Sequence, residues 1–331
     1  MVAIYVTAIK KGAGKTMLCA GLGRQLLKDG KKVGFFKSVF ATGSQPPAGT
    51  DSDALFMKNI LSLQESVDVL CPAFGKESNL AERLRQAYAP VARDRDVVLI
   101  EGLPYAESEK IIAALDARVL IVDEYPINIL PEMGKKLGNN LLGAVVNKVP
   151  ASRLTRVSSE LSSSLGKAGI NLLGVIPEDR VLAAITVAEV ARSLGGRVLN
   201  APERSNELVE SVMIGAMTVD SGLDYFGRKS NKAVLVRGER PDMQIAALQT
   251  STRCLVIGGG GEPIPAVFQQ AESKHVPLVA VKGDTGATVA ALEEAITIAK
   301  FNQEKKLARL DEIMGKQFNF PALYKTLGLA K

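Results

Sequence analysis

The chain has no tryptophan, a single histidine and three cysteines among its 331 residues. One histidine rules out chemistry built on a His pair. His275 stands just before a β-branched run and reads as a surface residue rather than the base of a Ser-His-Asp triad. Cys19, Cys71 and Cys254 are too few and too far apart for a disulfide framework or a zinc site, so they read as plain buried thiols. Also missing is any apolar run of the ~18–20 residues that a bilayer span needs. The opening Met1-Val2-Ala3-Ile4-Tyr5-Val6-Thr7 lacks the basic flank and cleavage site of a signal peptide and reads as a strand, so a cytoplasmic protein is expected.

A strong excess of charge of one sign is missing as well. The net charge is +6, but residues 301–331 carry six Lys/Arg against three Asp/Glu, half of the excess. The rest holds no Arg-rich block and no aromatic-basic interleave, which argues against nucleic acid as a partner. An apolar content of 47% with 23% charged residues is that of a globular protein. At ~150 residues per domain the length suggests two domains.

What is present is alternation. Short apolar runs at Ala3–Val6, Val33–Phe36, Val97–Ile100, Val119–Val122, Gly143–Val146 and Leu172–Ile176 are separated by helical patterns such as 16–28 and 153–167. This is the signature of a parallel sheet buried on both faces. A smaller series follows, with strands expected at Ala233–Val236, Cys254–Ile257 and Leu278–Val281 and helices at 244–248, 266–274 and 287–298. Turn formers at Ser193–Arg197 and Ala201–Arg204 mark a junction. The expected layout is an α/β parallel-sheet domain over residues 1–200, a smaller α/β domain over 205–300, and a helix and tail over 301–331.

The chemical signal lies directly after the first strand: Lys10-Lys11-Gly12-Ala13-Gly14-Lys15-Thr16, opening a helix. Small residues let backbone N–H groups close around phosphate, Lys15 reaches the terminal phosphates, and the Thr16 hydroxyl suits Mg²⁺. Ile9 stands where the first glycine usually is, and Lys10 matches the signature lysine of deviant Walker A loops. That lysine acts across a subunit boundary, so a homodimer is expected. Asp51-Ser52-Asp53 follows a Gly/Pro-rich stretch, and Asp51 reads equally as a helix N-cap or a metal ligand. Glu101 ends a strand of four apolar residues and needs a partner, either Mg²⁺ or an oriented water. Lys37 ends the second strand, to bind phosphate or to be solvated.

These stretches resemble dethiobiotin synthetase, and more closely the dethiobiotin-synthetase-like domain at the N-terminus of long bacterial phosphotransacetylases. Gly12–Thr16, Val33–Lys37, Ser52–Leu55, Val98–Gly102, Val146–Pro150 and Leu173–Arg180 carry the resemblance in order. It implies ATP and Mg²⁺ as cofactors, with Gly12, Ala13, Gly14, Lys15 and Thr16 on the phosphates. Thr16, Asp53 and Glu101 would hold the metal. Lys15, Lys37 and Glu101 would be the catalytic groups, and Asn147 and Pro177 would border the adenine. Gly102-Leu103-Pro104-Tyr105 departs from the synthetases' glycine-rich loop and puts carboxylation in doubt. Asp123-Glu124 is a further acidic sequence without an evident role.

Residues 233–244, 246–248, 251–257 and 281–285 resemble the DRTGG domain, which implies a regulatory unit open to a small-molecule effector. Three glycine-bearing loops, at 238, 258–261 and 283–286, each follow a strand; they would admit a ligand or simply make tight turns. Arg240 and Asp242 could form a structural ion pair. The acyltransferase domain of the long enzymes would need far more chain than the residues after 300 provide, so phosphotransacetylase activity is not expected. The reading favoured is a nucleotide-responsive regulator with weak Mg-dependent ATPase activity. The alternatives are an ATP-dependent ligase and a scaffold with a vestigial phosphate loop.

Overall fold

The computed structural model describes residues 1–40, 51–75, 79–127, 131–217 and 221–329; the Gly/Pro-rich stretch from Gly43 to Thr50 lies outside them. The chain forms two compact units. Met1–Asp179 and Phe301–Lys331 make the first, and Arg180–Lys300 make the second. The helical segment expected as a tail after residue 300 therefore belongs to the first unit.

Six parallel strands form the sheet of the first unit, in the order Val33–Lys37, Val97–Pro104, Val2–Ala8, Arg118–Glu124, Leu141–Val149, Leu172–Pro177. Ile4, Tyr5, Val6, Leu99, Ile100, Val119 and Leu120 are fully buried. Both faces are covered, which is why these strands read as continuous apolar runs. Helix Lys15–Lys28 buries Leu18, Leu22 and Leu26 against this sheet and leaves the strand Val2–Ala8 through the phosphate loop.

The last segment closes the unit. Helices Leu307–Gln317 and Phe320–Leu327 are amphipathic, with Leu310, Ile313, Met314, Leu323 and Tyr324 buried. Asp311 accepts two hydrogen bonds from Arg24, from Nε at 3.0 Å and Nη2 at 2.7 Å, and a third from Lys28 Nζ at 2.9 Å. Asn319 N–H donates to the carbonyl of Leu173 at 2.7 Å. The three acidic and six basic residues of this segment thus include a carboxylate that docks it.

The second unit is a five-stranded sheet ordered Arg197–Val198, Leu278–Ala280, Thr252–Gly258, Lys232–Arg237, Ser211–Ile214; the first strand is antiparallel and the others are parallel. Period-2 alternation divides its core. Val234, Val236, Leu255 and Ile257 pack with Phe226, Met243 and Val267 on one face. Ala233, Leu235, Cys254 and Val256 pack with Val187, Val190 and Leu292 on the other. The turn formers expected to mark a junction are turns, but they lie inside this unit. Arg197 and Val198 pair with Ala280 and Val279, and a two-residue edge strand leaves no periodic trace in sequence. Among the described residues no helix is long and apolar enough to cross a membrane.

The Asp311 contacts are testable. The Arg24 hydrogen bonds hold the Asp311 carboxyl below its usual range, so their stabilisation is present above the ordinary carboxylate pKa of ~3.9 and is lost as pH falls through the depressed value. Asp311→Ala should lower stability by about 1–3 kcal/mol at pH 7, with the difference shrinking toward pH 3. Equal urea midpoints at pH 7 would show that the segment is held by its apolar face alone.

Candidate functional site

Where the strand Val2–Ala8 ends, the chain turns through Gly12 to Gly14, which caps the helix in the left-handed conformation at φ 105° and ψ 28°. A side chain is disfavoured there twice over. The φ suits only glycine, and a methyl group would lie 2.4 Å from Asn147 Nδ2. Asn147 is buried at the end of the fifth strand; its Nδ2 donates to the carbonyl of Ala13 at 2.9 Å, and its Oδ1 accepts from Lys148 N–H at 2.9 Å. Asn147, expected beside adenine, thus braces the phosphate loop from below. Lys10 and Lys11 are exposed on the loop, while Ala13 is buried.

Beside the loop lies a cluster of charge. Parallel register places Lys37, at the end of its strand, next to Glu101, three residues before the end of the adjacent one. The Lys37 ammonium sits 2.7 Å from Asp53, 3.1 Å from Asp51 and 3.8 Å from Glu101. Thr16 Oγ1 donates to Glu101 Oε1 at 3.0 Å, joining helix and cluster. Of the two roles open to it, Asp51 takes that of N-cap: its Oδ1 caps helix Ser52–Ile60 by accepting from the N–H groups of Asp53 and Ala54, and it also pairs with Lys37. Glu101 is 6% exposed and Asp53 9%, and one oxygen of each, Glu101 Oε2 and Asp53 Oδ1, is buried without a hydrogen-bond partner.

Electrostatics follow from burial and crowding. Burial pushes the Glu101 carboxyl up, against the pull of the Lys37 ammonium. Burial alone would lower Lys37, but Glu101, Asp53 and Asp51 outweigh it and hold the amine charged. Asp51 is also desolvated, yet the Ala54 N–H and Lys37 bring its carboxyl below the usual range. Cys19 lies within reach of the same charges; burial, then Glu101, push its thiol well up, so it is a neutral core group.

Past Glu101 the strand continues rigidly. Leu103 donates its N–H to Tyr5 Oη at 3.0 Å, and its carbonyl accepts from Thr7 Oγ1 at 2.8 Å. Tyr5 Oη in turn donates to Ser108 Oγ at 3.0 Å. The stretch that departs from the synthetases' glycine-rich loop is therefore a pinned strand end. Glu124, unexplained by the sequence, pairs with Lys148 Nζ at 2.8 Å, and Asp123 is fully buried. Pro177 ends the last strand of the sheet beside Val149.

In the second unit, the loops at Gly238 and Gly261 touch each other: a methyl group on Gly238 would lie 2.9 Å from Gly261 Cα. Those glycines are used for loop-to-loop contact. A cavity of about 540 Å³ opens next to them, lined by Ile214, Leu235, Arg237, Glu239, Arg240 and Thr285. Arg240 makes the ion pair with Asp242 at 2.8 Å, and Arg240 Nη2 also donates to the carbonyl of Met217 at 3.2 Å.

Residues 2–186 match the AAA domain family and residues 189–295 match the DRTGG domain family. The phosphate acetyltransferase of Nitratidesulfovibrio vulgaris is 23% identical over 92% of this chain and 48% of its own length. That of Pseudomonas putida is 27% identical over 74% of this chain and 39% of its own. The Escherichia coli enzyme is 21% identical over 92% and 50%. The chain spans about half the length of the curated relatives it matches. Among solved structures, the Aquifex aeolicus MinD cell division protein overlaps 55% of this chain and 84% of its own, at 20% identity and a TM-score of 0.38. The CBS and DRTGG domains of Clostridium perfringens pyrophosphatase, solved with diadenosine tetraphosphate, overlap 51% and 85%, at 12% identity and a TM-score of 0.32.

Gly14→Ala combines a disfavoured φ with the Asn147 clash and should destabilise the protein by roughly 1–3 kcal/mol. Chemical denaturation measures this; a change below about 0.5 kcal/mol would mean that the loop relaxes around an added methyl group.

Proposed function

Because the chain belongs to the AAA domain family through residues 2–186 and carries a DRTGG domain over 189–295, we propose that it binds Mg·ATP at the phosphate loop, hydrolyses it slowly, and answers to an effector through its second unit. The observation that carries this reading is the meeting, beside one loop, of Thr16, Glu101, Asp53 and Lys37, with two buried carboxylate oxygens left unpartnered.

Oxygen donors of this kind suit Mg²⁺, which keeps several waters and takes phosphate oxygens for the rest of its shell. Thr16, Asp53 and Glu101 would hold it, and Mg²⁺ would neutralise charge on the phosphates. Lys15, at the N-terminus of a 14-residue helix, would bind the terminal phosphates. Glu101 would orient the attacking water, and Lys37 would stabilise charge developing on the transferred phosphoryl group. Asn147 would keep the loop open toward the nucleotide, with Pro177 bordering the base.

The pinned Leu103-Pro104 stretch favours this reading over a ligase, which needs space there for a second substrate. In the second unit, Arg237 and Arg240 rim the cavity, paired with Glu239 at 3.2 Å and Asp242 at 2.8 Å, and would exchange those partners for a small anionic effector, since guanidinium forks match phosphate and carboxylate. Lys10, exposed on the loop, would reach a nucleotide held by a second copy, giving an ATP-bound homodimer.

Lys15→Ala should abolish Mg·ATP binding by calorimetry; unchanged affinity would sink the assignment of the loop. Glu101→Gln should retain binding while slowing phosphate release by about 10²-fold or more, and full turnover in that variant would remove Glu101 from the chemistry. Light scattering with ATP should show a dimer for the wild type and a monomer for Lys10→Ala. A wild-type monomer under those conditions would eliminate the role across subunits.

A further inference from the structure

The cluster beside the phosphate loop has more negative charge than it uses. Asp51, Asp53 and Glu101 pair with one ammonium, that of Lys37, and only Lys15, from further off, adds its charge at Glu101. If Lys37 were only half of a structural ion pair, one carboxylate would serve it. The others would add desolvation cost, with Glu101 Oε2 and Asp53 Oδ1 buried and unmatched. That surplus is what a cation of higher charge would need, and the Lys37 ammonium sits among the groups that would receive it.

Lysine is suited to giving up such a position. Its ammonium is a compact point charge on a flexible four-carbon stem, and the stem leaves a strand end on the edge strand of the sheet. Thr16 already shares Glu101 Oε1, so the phosphate loop and the cluster meet at the same carboxylate. A phosphate chain seated on the loop would offer the ammonium an alternative partner of the same sign as the one it leaves.

We infer that Lys37 is a tethered counter-ion that holds the carboxylate cluster against free divalent metal and yields the position when a nucleotide arrives. Metal and nucleotide then bind with positive coupling: metal alone competes with an attached cation, whereas metal together with phosphate does not. The second half of this statement rests on the nucleotide reading given above; the first half does not.

The test is a titration of Mn²⁺ alone, with no nucleotide, into wild type, Lys37→Met, Lys37→Gln and Lys37→Arg, followed by calorimetry and by the electron paramagnetic resonance signal of free Mn²⁺. Wild type and Lys37→Arg should bind weakly. Lys37→Met and Lys37→Gln should each bind at least about tenfold more tightly, and adding Asp53→Asn to either should remove the gain. The glutamine variant keeps a hydrogen-bond donor for the carboxylates, so it reports even where the methionine variant folds poorly. Folded Lys37→Gln with no gain in Mn²⁺ affinity would overturn the inference, as would wild type binding Mn²⁺ as tightly as the neutral variants. Because no nucleotide is present, either result strikes the counter-ion role and leaves ATP binding at the loop standing.

Discussion

The pairing of strand Val33–Lys37 with strand Val97–Pro104 sets Lys37 beside Glu101, and the charge cluster of the first unit depends on that register. A slip of one residue would turn each side chain to the opposite face of the sheet and part Glu101 from the Lys37 ammonium. Because the sheet is packed on both faces, a slip would force Phe35, Phe36, Leu99 and Ile100, all fully buried, into sites shaped for other side chains. Packing of apolar groups therefore fixes the placement of the polar ones. Thr16 from the helix after the loop and Asp53 from the first turn of Ser52–Ile60 then come to a position already set.

The phosphate loop is supported in a different way. Its shape depends on Gly14 lying against the Asn147 carboxamide and on the Ala13 carbonyl accepting from it. Two strands on opposite sides of the Arg118–Glu124 strand thus meet beneath the loop. The glycine usually first in such loops is Ile9 here, and the brace from Asn147 acts further along, at the turn into the helix.

Much of this was readable in the sequence, and the rest was not for definite reasons. Strands buried on both faces show as apolar runs, so the six strands of the first sheet were legible, as were Gly14-Lys15-Thr16 and the strand-end position of Lys37; Glu101, expected to end its strand, stands three residues before the end. That Lys37 bridges Asp51, Asp53 and Glu101 was not, because contacts between residues up to 64 apart leave no local pattern. Asn147 shows the same limit: resemblance implies a place beside adenine, whereas the hydrogen bond to Ala13 spans 134 positions. The edge strands Arg197–Val198 and Ile185–Thr186 are too short to alternate visibly. The helical character of residues 303–314 could be read, but not that Asp311 would find Arg24. In the second unit the glycines did mark converging loops, and contact between the loops accounts for Gly238 and Gly261.

The division of the chain has a consequence for how it leaves the ribosome. The first unit begins at Met1 and is finished by helices after Phe301, with Arg180–Lys300 inserted between. While that insertion is being made, Arg24 and Lys28 lack Asp311, and the helix face they stand on lacks Leu310 and Met314. The inserted unit, contiguous in sequence, can complete its own sheet first. The first unit is thus started before the inserted one and completed after it, and its helix face waits uncovered for the length of that unit's synthesis.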